Sequence, residues 1–103
     1  MVYRIVWAKG ALADLREIHD YIAKDSKFYA KIQVERIQTA TLKLARFPKA
    51  GRSVPEFPER TWREVLTGNY RLIYRADPDE WRCVVLAVVH GRQLLKAAMI
   101  SSE

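Results

Sequence analysis

The stretch GNYRLIYR, from Gly68 to Arg75, places two permanent cations in a segment that otherwise has the pattern of a β-strand. Alternation along a strand divides its side chains into two sets, Tyr70, Leu72 and Tyr74 on one face and Arg71, Ile73 and Arg75 on the other. Guanidinium groups keep their charge and donate paired hydrogen bonds to phosphate or carboxylate. We therefore expect Arg71 and Arg75 to project from an open face of a sheet toward an anionic partner.

Other basic side chains could extend this surface. Arg63 lies one strand earlier, His90 and Arg92 follow an apolar run near the end, and Lys49 and Arg52 lie in a basic loop. The predicted partner-binding residues are Lys49, Arg52, Arg63, Arg71, Arg75, His90 and Arg92. The alternative is that these side chains only cover the sheet and keep it soluble.

Cleavage of RNA is one reaction that such residues could support, because it needs an acid, a base and cations that stabilise the phosphorane charge. A histidine titrates near neutral pH, so His90 is the best candidate acid or base, with Arg63 and Arg71 as cations. Glu56 and Glu59 are more distant candidates. A packed or hydrogen-bonded histidine would explain His90 equally simply, so we assign no catalytic residue.

Metal and cofactor chemistry find no support in the sequence. His19 and His90 are far apart, and the single cysteine, Cys83, lies in an apolar run, where we expect a buried and inert thiol. A glycine-rich phosphate loop and a Gly-x-Ser-x-Gly motif are both missing from the sequence. We expect neither a metal nor a cofactor.

The amino-terminal half predicts a strand followed by two helices. Val2 to Trp7 alternates as a short strand, and apolar residues at helical spacing predict helices from Lys9 to Lys24 and from Lys27 to Arg46. Their short connection requires an antiparallel helical hairpin. A proline-rich loop from Pro48 to Pro58 follows.

The remaining chain predicts an antiparallel meander of three strands, Trp62 to Leu66, Tyr70 to Arg75 and Arg82 to Val89, with Gly68 and Asn69 in the first turn. The last strand is apolar at every position from Cys83 to Val89, which indicates cover on both faces. In so small a protein this needs a second layer or a partner, and it is a first sign that something binds the face opposite the helices. The predicted fold class is α+β: an N-terminal strand, an antiparallel αα hairpin and a three-stranded antiparallel meander in one small sheet.

Size and charge narrow the functional classes. The 103 residues predict one domain over 1–103, and 18 Lys+Arg against 12 Asp+Glu give a formal charge of +6. This charge favours a nucleic acid or an acidic protein as partner, although an ordinary solvated basic surface would have the same composition. The sequence lacks a secretory signal and any apolar stretch of roughly 20 residues, so we expect a cytoplasmic protein without a membrane partner.

Several segments together resemble a known family. They are VWAKGALADLREIHDYIA, FPKAGR, YRLIYR and VVLAVVHGR, followed by Gln93. In this order they resemble the ParE branch of the RelE/ParE toxin superfamily, over nearly the whole chain. The resemblance implies a RelE/ParE-like fold and a toxin of a type II toxin–antitoxin module of the kind that stabilises plasmids. Such a toxin slows growth until a cognate antitoxin encoded beside it binds and neutralises it, and a higher toxin–antitoxin oligomer is one alternative.

The resemblance also implies two alternative targets. RelE-like members cut mRNA on the ribosome with basic residues and a tyrosine near the carboxyl terminus, or with a glutamate and histidine pair, whereas ParE-like members poison DNA gyrase. This sequence has no tyrosine after Tyr74. We therefore expect a gyrase inhibitor rather than an enzyme, with a metal-independent endoribonuclease as the alternative and a non-toxic binding module as the third. Ala8 stands where the family usually has a Ser or Thr helix cap.

Overall fold

The regular elements follow the order that the sequence predicts, with one short strand added. A computed structural model of the chain describes residues 2–100. Its elements are β1 (Arg4–Trp7), α1 (Lys9–Ala23), α2 (Lys27–Arg46), β2 (Arg52–Ser53), β3 (Arg63–Thr67), β4 (Tyr70–Asp77) and β5 (Arg82–His90), with 3-10 turns at Pro78–Glu80 and Ala97–Met99. The predicted α+β class is confirmed, and the sheet has five strands rather than four.

The two helices form the predicted antiparallel hairpin. The hydroxyl of Ser26 caps α2 by accepting a hydrogen bond of 3.2 Å from the Tyr29 amide. Ala8, the residue before α1, offers no side-chain cap, as expected from its type. Among residues 2–100, no helix combines the length and the apolar character that crossing a bilayer requires.

The sheet is mixed, because its first strand runs parallel to its last. The strand order is β1-β5-β4-β3-β2. β3, β4 and β5 form the predicted antiparallel meander, and β2 adds an antiparallel pair of residues at the outer edge of β3. β1 pairs in parallel with the first half of β5, from Arg82 to Val85. β5 therefore lies inside the sheet, as its apolar composition predicts.

A β-bulge interrupts β5 near its middle. Ile73 pairs with Ala87 and Tyr74 pairs with Val85, so Leu86 is an extra residue on β5. One extra residue reverses the alternation of side chains, and Val88 consequently packs on the same side of the sheet as Val85. The side chains after the bulge therefore lie on the faces opposite to those that simple alternation from Cys83 predicts.

Both faces of the sheet are covered by the chain itself. Under the helices lies the helix-side cluster of Ala11, Ile37, Leu44, Leu72, Tyr74, Cys83, Val85 and Val88. On the other face lies the tail-side cluster of Ala8, Val54, Ile73, Val84, Leu86, Ala87, Val89 and Leu95, against which Phe57, Trp62, Met99 and Ile100 also pack. Of the two predicted forms of cover for this second face, a second layer or a partner, the structure shows the second layer, which the loop after β2 and the carboxyl-terminal segment form. The expectation that this face awaits a partner is therefore wrong.

Two turns depart from ordinary backbone geometry. Gly68, in the β3–β4 turn, has a φ of 60°, as the prediction of a tight hairpin requires. Asn69 is not among the residues with positive φ. In the part of the chain that the structure describes, Trp81 is the non-glycine residue with positive φ, at 51°, and its ring packs edge-on against Tyr3.

Candidate functional site

Arg71 is buried, although the alternation of side chains along β4 is as predicted. Leu72 and Tyr74 belong to the helix-side cluster, and Arg71 lies on the opposite face. That face is not open, and Arg71 is only 6% exposed. The expectation that Arg71 projects into solvent is therefore wrong, because the covering loop and tail enclose its guanidinium group.

Two glutamates compensate the charge of Arg71. Glu56, in the covering loop, accepts two parallel hydrogen bonds of 2.7 Å from the Arg71 Nη1 and Nη2 atoms. Glu64, on the neighbouring strand β3, accepts from Nε at 2.9 Å and also from Nη2. A hydrogen bond of 3.1 Å from Nη1 to the Gln93 carbonyl completes the set. All five N–H donors of the guanidinium group are thus occupied within the chain.

Glu56 also forms a hydrogen bond with the carboxyl-terminal segment. Its Oε2 atom accepts a hydrogen bond of 2.8 Å from the Leu95 amide, and the Leu95 side chain is buried in the tail-side cluster. The Arg71 hydrogen bonds are the main cause that lowers the pKa of Glu56 from 4.5 to about 2. The same bonds, with Glu56 contributing most, raise the pKa of Arg71 further above its ordinary value.

Arg52 extends these contacts into a chain of alternating charges. Its Nε atom donates to Glu64 Oε2 at 2.7 Å, and the Glu64 side chain is fully buried. Arg52, Glu64, Arg71 and Glu56 together form what we term the four-residue ion network. Because the network is electrically neutral, a phosphate or carboxylate that approached Arg71 would have to displace a glutamate.

A cleft of about 550 Å³ opens beside this network at the end of the sheet that carries the β3–β4 turn. We term it the arginine cleft, and its lining includes Arg52, Glu56, Leu66, Tyr70, Arg71, His90, Arg92 and Leu94. It brings four of the predicted partner-binding residues together. Leu66 and Leu94 remain 66% and 65% exposed, so the cleft combines cations with two solvent-exposed apolar side chains.

His90 and Arg92 are exposed basic residues of the arginine cleft, as is Arg52. The His90 ring packs edge-on against Tyr70, with 5.7 Å between centroids, and its Nδ1 atom accepts a hydrogen bond of 3.2 Å from the Arg92 amide. That acceptor role leaves the proton of a neutral ring on Nε2. Both side chains are exposed, and within residues 2–100 the Arg92 guanidinium group has no ion-pair partner.

The other predicted site residues lie elsewhere. Arg63 donates to the Gly51 carbonyl at 2.8 Å and to the Lys49 carbonyl at 3.4 Å, and it lines a separate cleft with Lys49. Arg75 donates to the Asp77 carboxylate at 3.0 Å, near the opposite end of β4 from Tyr70. The predicted residues are thus distributed over the arginine cleft, this second cleft and the far end of β4.

Cys83 has the buried thiol that the sequence predicts. Its side chain is fully buried in the helix-side cluster, and its Sγ atom lies 3.8 Å from the Leu44 carbonyl oxygen. Burial raises the pKa of Cys83 to about 11. At neutral pH the group remains a thiol, which is a poor nucleophile.

Comparison with known proteins shows which protein family the sequence matches. The family model of the ParE toxin of the type II toxin–antitoxin system parDE matches residues 5–95. Toxin RelE2 of Caulobacter vibrioides is 43% identical over 49 residues, which are 48% of this chain and 56% of the relative. The matched segment thus spans about half of the length of that relative.

Solved structures show the same fold at low sequence identity. The chain is similar to a chain of the chromosomal ParDE toxin–antitoxin system from P. aeruginosa, with a TM-score of 0.69, 21% identity and coverage of 86% of this chain and 96% of that chain. It is also similar to a chain of the RelBE2 toxin–antitoxin complex from Mycobacterium tuberculosis, with a TM-score of 0.63, 23% identity and coverage of 87% and 99%. A mutant of E. coli toxin RelE in the free state gives a TM-score of 0.64 at 17% identity, with coverage of 89% and 86%.

The chain belongs to the ParE toxin family of type II toxin–antitoxin systems, because the family model matches most of its length. The resemblance noted in the sequence is therefore confirmed, within the wider RelE/ParE superfamily.

Proposed function

We propose that this toxin acts by inhibiting DNA gyrase in the cytoplasm, without cleaving RNA, and that an acidic antitoxin neutralises it. The observation that supports this proposal is the closed four-residue ion network. Arg71 is the most central of the predicted cations, and all five of its donors are occupied. A guanidinium group in this state has no hydrogen bond left for a phosphorane.

A cleavage mechanism would therefore have to use His90 without the two cations, Arg63 and Arg71, that the sequence analysis assigned to it. Arg63, the second cation considered for cleavage, donates to loop carbonyls and lies in a different cleft. Removing transition-state hydrogen-bond donors typically costs a factor of 100 to 1,000 in rate, on the order of 3 kcal/mol per donor. Binding to a protein target needs no such constellation, and the exposed cations and leucines of the arginine cleft suit it.

Induction of the toxin alone in growing cells separates the alternatives. Gyrase inhibition predicts DNA breaks with intact mRNA, whereas a translation-linked ribonuclease predicts cut mRNA with intact DNA. Normal growth at the same protein level would identify a non-toxic binding module. Cut mRNA or normal growth would each contradict the proposal.

Purified proteins give a sharper test through His90. We expect His90→Gln to inhibit purified gyrase about as well as the unchanged toxin, because a binding surface does not need a group that exchanges protons. The matched control is His19→Gln, at the half-buried histidine of α1. Loss of inhibition in His90→Gln alone, with the fold retained, would restore a catalytic role for this residue.

We further propose that the antitoxin occupies the arginine cleft with an acidic segment. Arg92 supplies an accessible charge, and Leu66 with Leu94 supplies apolar contacts on either side. Arg71 is too enclosed to contribute directly.

Calorimetric titration of the cognate antitoxin tests this assignment. We expect Arg92→Ala to weaken binding by roughly tenfold or more, which corresponds to about 1.4 kcal/mol. Arg16→Ala, which removes an exposed arginine from α1, serves as the control and should leave the affinity nearly unchanged. Equal affinities of the two variants would show that the antitoxin binds elsewhere.

A further inference from the structure

A second groove, of about 660 Å³, follows the edge of β5 beyond the point where β1 ends. The last β1–β5 hydrogen bond runs from the Ala8 amide to the Val85 carbonyl, at 2.9 Å, and the chain then turns into α1. From Val88 to His90 the position next to β5 is therefore not occupied by a strand. We term this position the empty strand slot.

Two walls enclose the empty strand slot as they would enclose a central strand. One wall is α1, through Gly10, Ala13, Asp14, Glu17 and Tyr21, and the other is the carboxyl-terminal segment, through Gln93, Ala98 and Met99. Gly10 has no side chain and Ala13 a small one, so α1 is least bulky at these two positions, whereas the Asp14 side chain reaches the edge of β5. The slot is about three residues long, or roughly 10 Å at 3.3 Å per residue.

The edge of β5 has backbone groups directed into the slot. The Val88 amide donates to Asp14 Oδ2 at 3.0 Å, which shows that Val88 is oriented away from β4. Gly91, by contrast, donates to the Asn69 carbonyl at 2.7 Å, on the β4 side. Along β5, the backbone groups of successive residues are directed alternately toward β4 and away from it. The Val88 carbonyl and the His90 amide are therefore directed into the slot.

This pattern selects a parallel orientation for an added strand. In parallel pairing, one residue of the new strand donates to the Val88 carbonyl and accepts from the His90 amide. An antiparallel pair opposite Val88 would need the Val88 amide, which Asp14 already occupies, and one opposite His90 would need the His90 carbonyl, which accepts from the Gln93 amide. An added strand would therefore continue the direction of β1.

The charges of the slot are opposite to those of the molecule as a whole. The protein has a formal charge of +6, yet the α1 wall presents two carboxylates, Asp14 and Glu17, with His90 at the end of the slot. Tyr21 is 71% exposed beside them and offers an aromatic face to a cation. Basic side chains fit this wall, whereas Ala98 and Met99 on the other wall fit an apolar side chain.

We propose that the empty strand slot binds an extended, basic segment of a partner polypeptide, which adds to β5 as a short parallel strand. Residues of that strand level with Val88 and His90 face α1 and are basic, and the residue between them faces the tail and is apolar. Main-chain hydrogen bonds hold the segment, and the alternating side chains give specificity. Tyr70 and His90 line both this slot and the arginine cleft, but the two proposals differ in their occupant, because the antitoxin assignment concerns an acidic segment.

The probe for this proposal is the peptide acetyl-Ser-Lys-Val-Lys-Ser-amide, with acetyl-Ser-Glu-Val-Glu-Ser-amide as its control. Amide hydrogen exchange of the full-length protein is followed residue by residue by NMR during titration. At ten times its Kd, the lysine peptide should slow exchange of the His90 amide roughly tenfold, because a bound amide is protected in proportion to occupancy. The glutamate peptide should leave this amide unchanged.

Two matched variants test the acidic wall. Glu17→Lys should weaken binding of the lysine peptide by roughly tenfold, whereas Glu35→Lys, an equally exposed change on α2, should leave it unchanged. An unprotected His90 amide under the lysine peptide would overturn the proposal, as would equal binding of the two peptides. If the peptide experiments contradict the strand proposal, the antitoxin titration with Arg92→Ala still tests the antitoxin proposal. Each proposal can therefore be refuted without the other.

Discussion

Replacing Glu56 by Gln tests whether the four-residue ion network holds the carboxyl-terminal segment on the sheet. The substitution keeps the shape of the side chain and removes the charge that accepts hydrogen bonds from Arg71 and the Leu95 amide. The pKa of Glu56 falls from 4.5 to about 2, and at about 1.4 kcal/mol per unit this corresponds to about 3 kcal/mol of stabilisation. The Glu56 side chain is only 14% exposed, so solvent screens little of this energy.

Urea denaturation at neutral pH should therefore show Glu56→Gln to be about 3 kcal/mol less stable than the unchanged protein. For a domain of this size, such a loss lowers the Tm by more than about 10 °C. Glu59→Gln, an exposed change in the same loop, is the control and should have little effect. Hydrogen exchange of the Leu95 amide should become faster in Glu56→Gln alone.

The dependence on pH has a definite sign. The carboxylate of Glu56 has a lower pKa in the folded protein than in the unfolded chain, so its contribution is complete above about pH 4.5 and disappears as the pH falls toward 2. The stability difference between the unchanged protein and Glu56→Gln should shrink over this window. A difference under about 0.5 kcal/mol at neutral pH, or one that does not change between pH 4.5 and 2, would refute the reasoning.

Three further changes address the backbone and the β5 edge. Gly51→Ala should destabilise the fold by roughly 2 kcal/mol or more in thermal unfolding, since a Cβ atom there would lie 2.7 Å from the Glu64 carbonyl oxygen; a Tm near that of the unchanged protein would contradict this. Gly68→Val should cost roughly 1 to 2 kcal/mol by the same measurement, because φ is +60°, and an unchanged Tm would show that the turn can relax. Burial raises the pKa of Asp14, so its charged form destabilises the folded protein, whereas the amide oxygen of Asp14→Asn can still accept the Val88 hydrogen bond. This variant should therefore be as stable as the unchanged protein or more stable at pH 7, and should lose that advantage at acidic pH, where Asp14 is neutral. Marked destabilisation at pH 7 would show that the charge itself is needed.

The helical hairpin could be predicted closely from the sequence because its signals are local. Apolar spacing and the Ser26 cap defined α2 from Lys27 to Arg46, and α1 ends one residue before the predicted Lys24. The parallel pairing of β1 with β5 could not be derived in this way. It depends on two segments from opposite ends of the chain, and no periodicity within either segment encodes it.

The burial and the ion partners of Arg71 could not be predicted from the sequence for a related reason. Its partners lie 7 and 15 residues away, on the neighbouring strand and in a loop, so no periodicity within a single element relates them to Arg71. Glu56 lay in a proline-rich loop that carried no sign of packing on the sheet. The uniformly apolar run from Cys83 to Val89 similarly concealed the bulge at Leu86, since side chains of one type show no change of face.

The pairing of β1 with β5 also has a consequence for when the toxin can become active. Arg4 lies beside Arg82, and both hydrophobic clusters take buried side chains from β5. During synthesis β1 and the helical hairpin emerge first, but the sheet that should pack beneath the hairpin lacks the interior strand β5 until residue 90 has been made. Contacts so distant in sequence form slowly and only after much of the chain is ordered. Each new toxin molecule therefore lacks the arginine cleft, which β4 and β5 help to line, until this late stage of its synthesis.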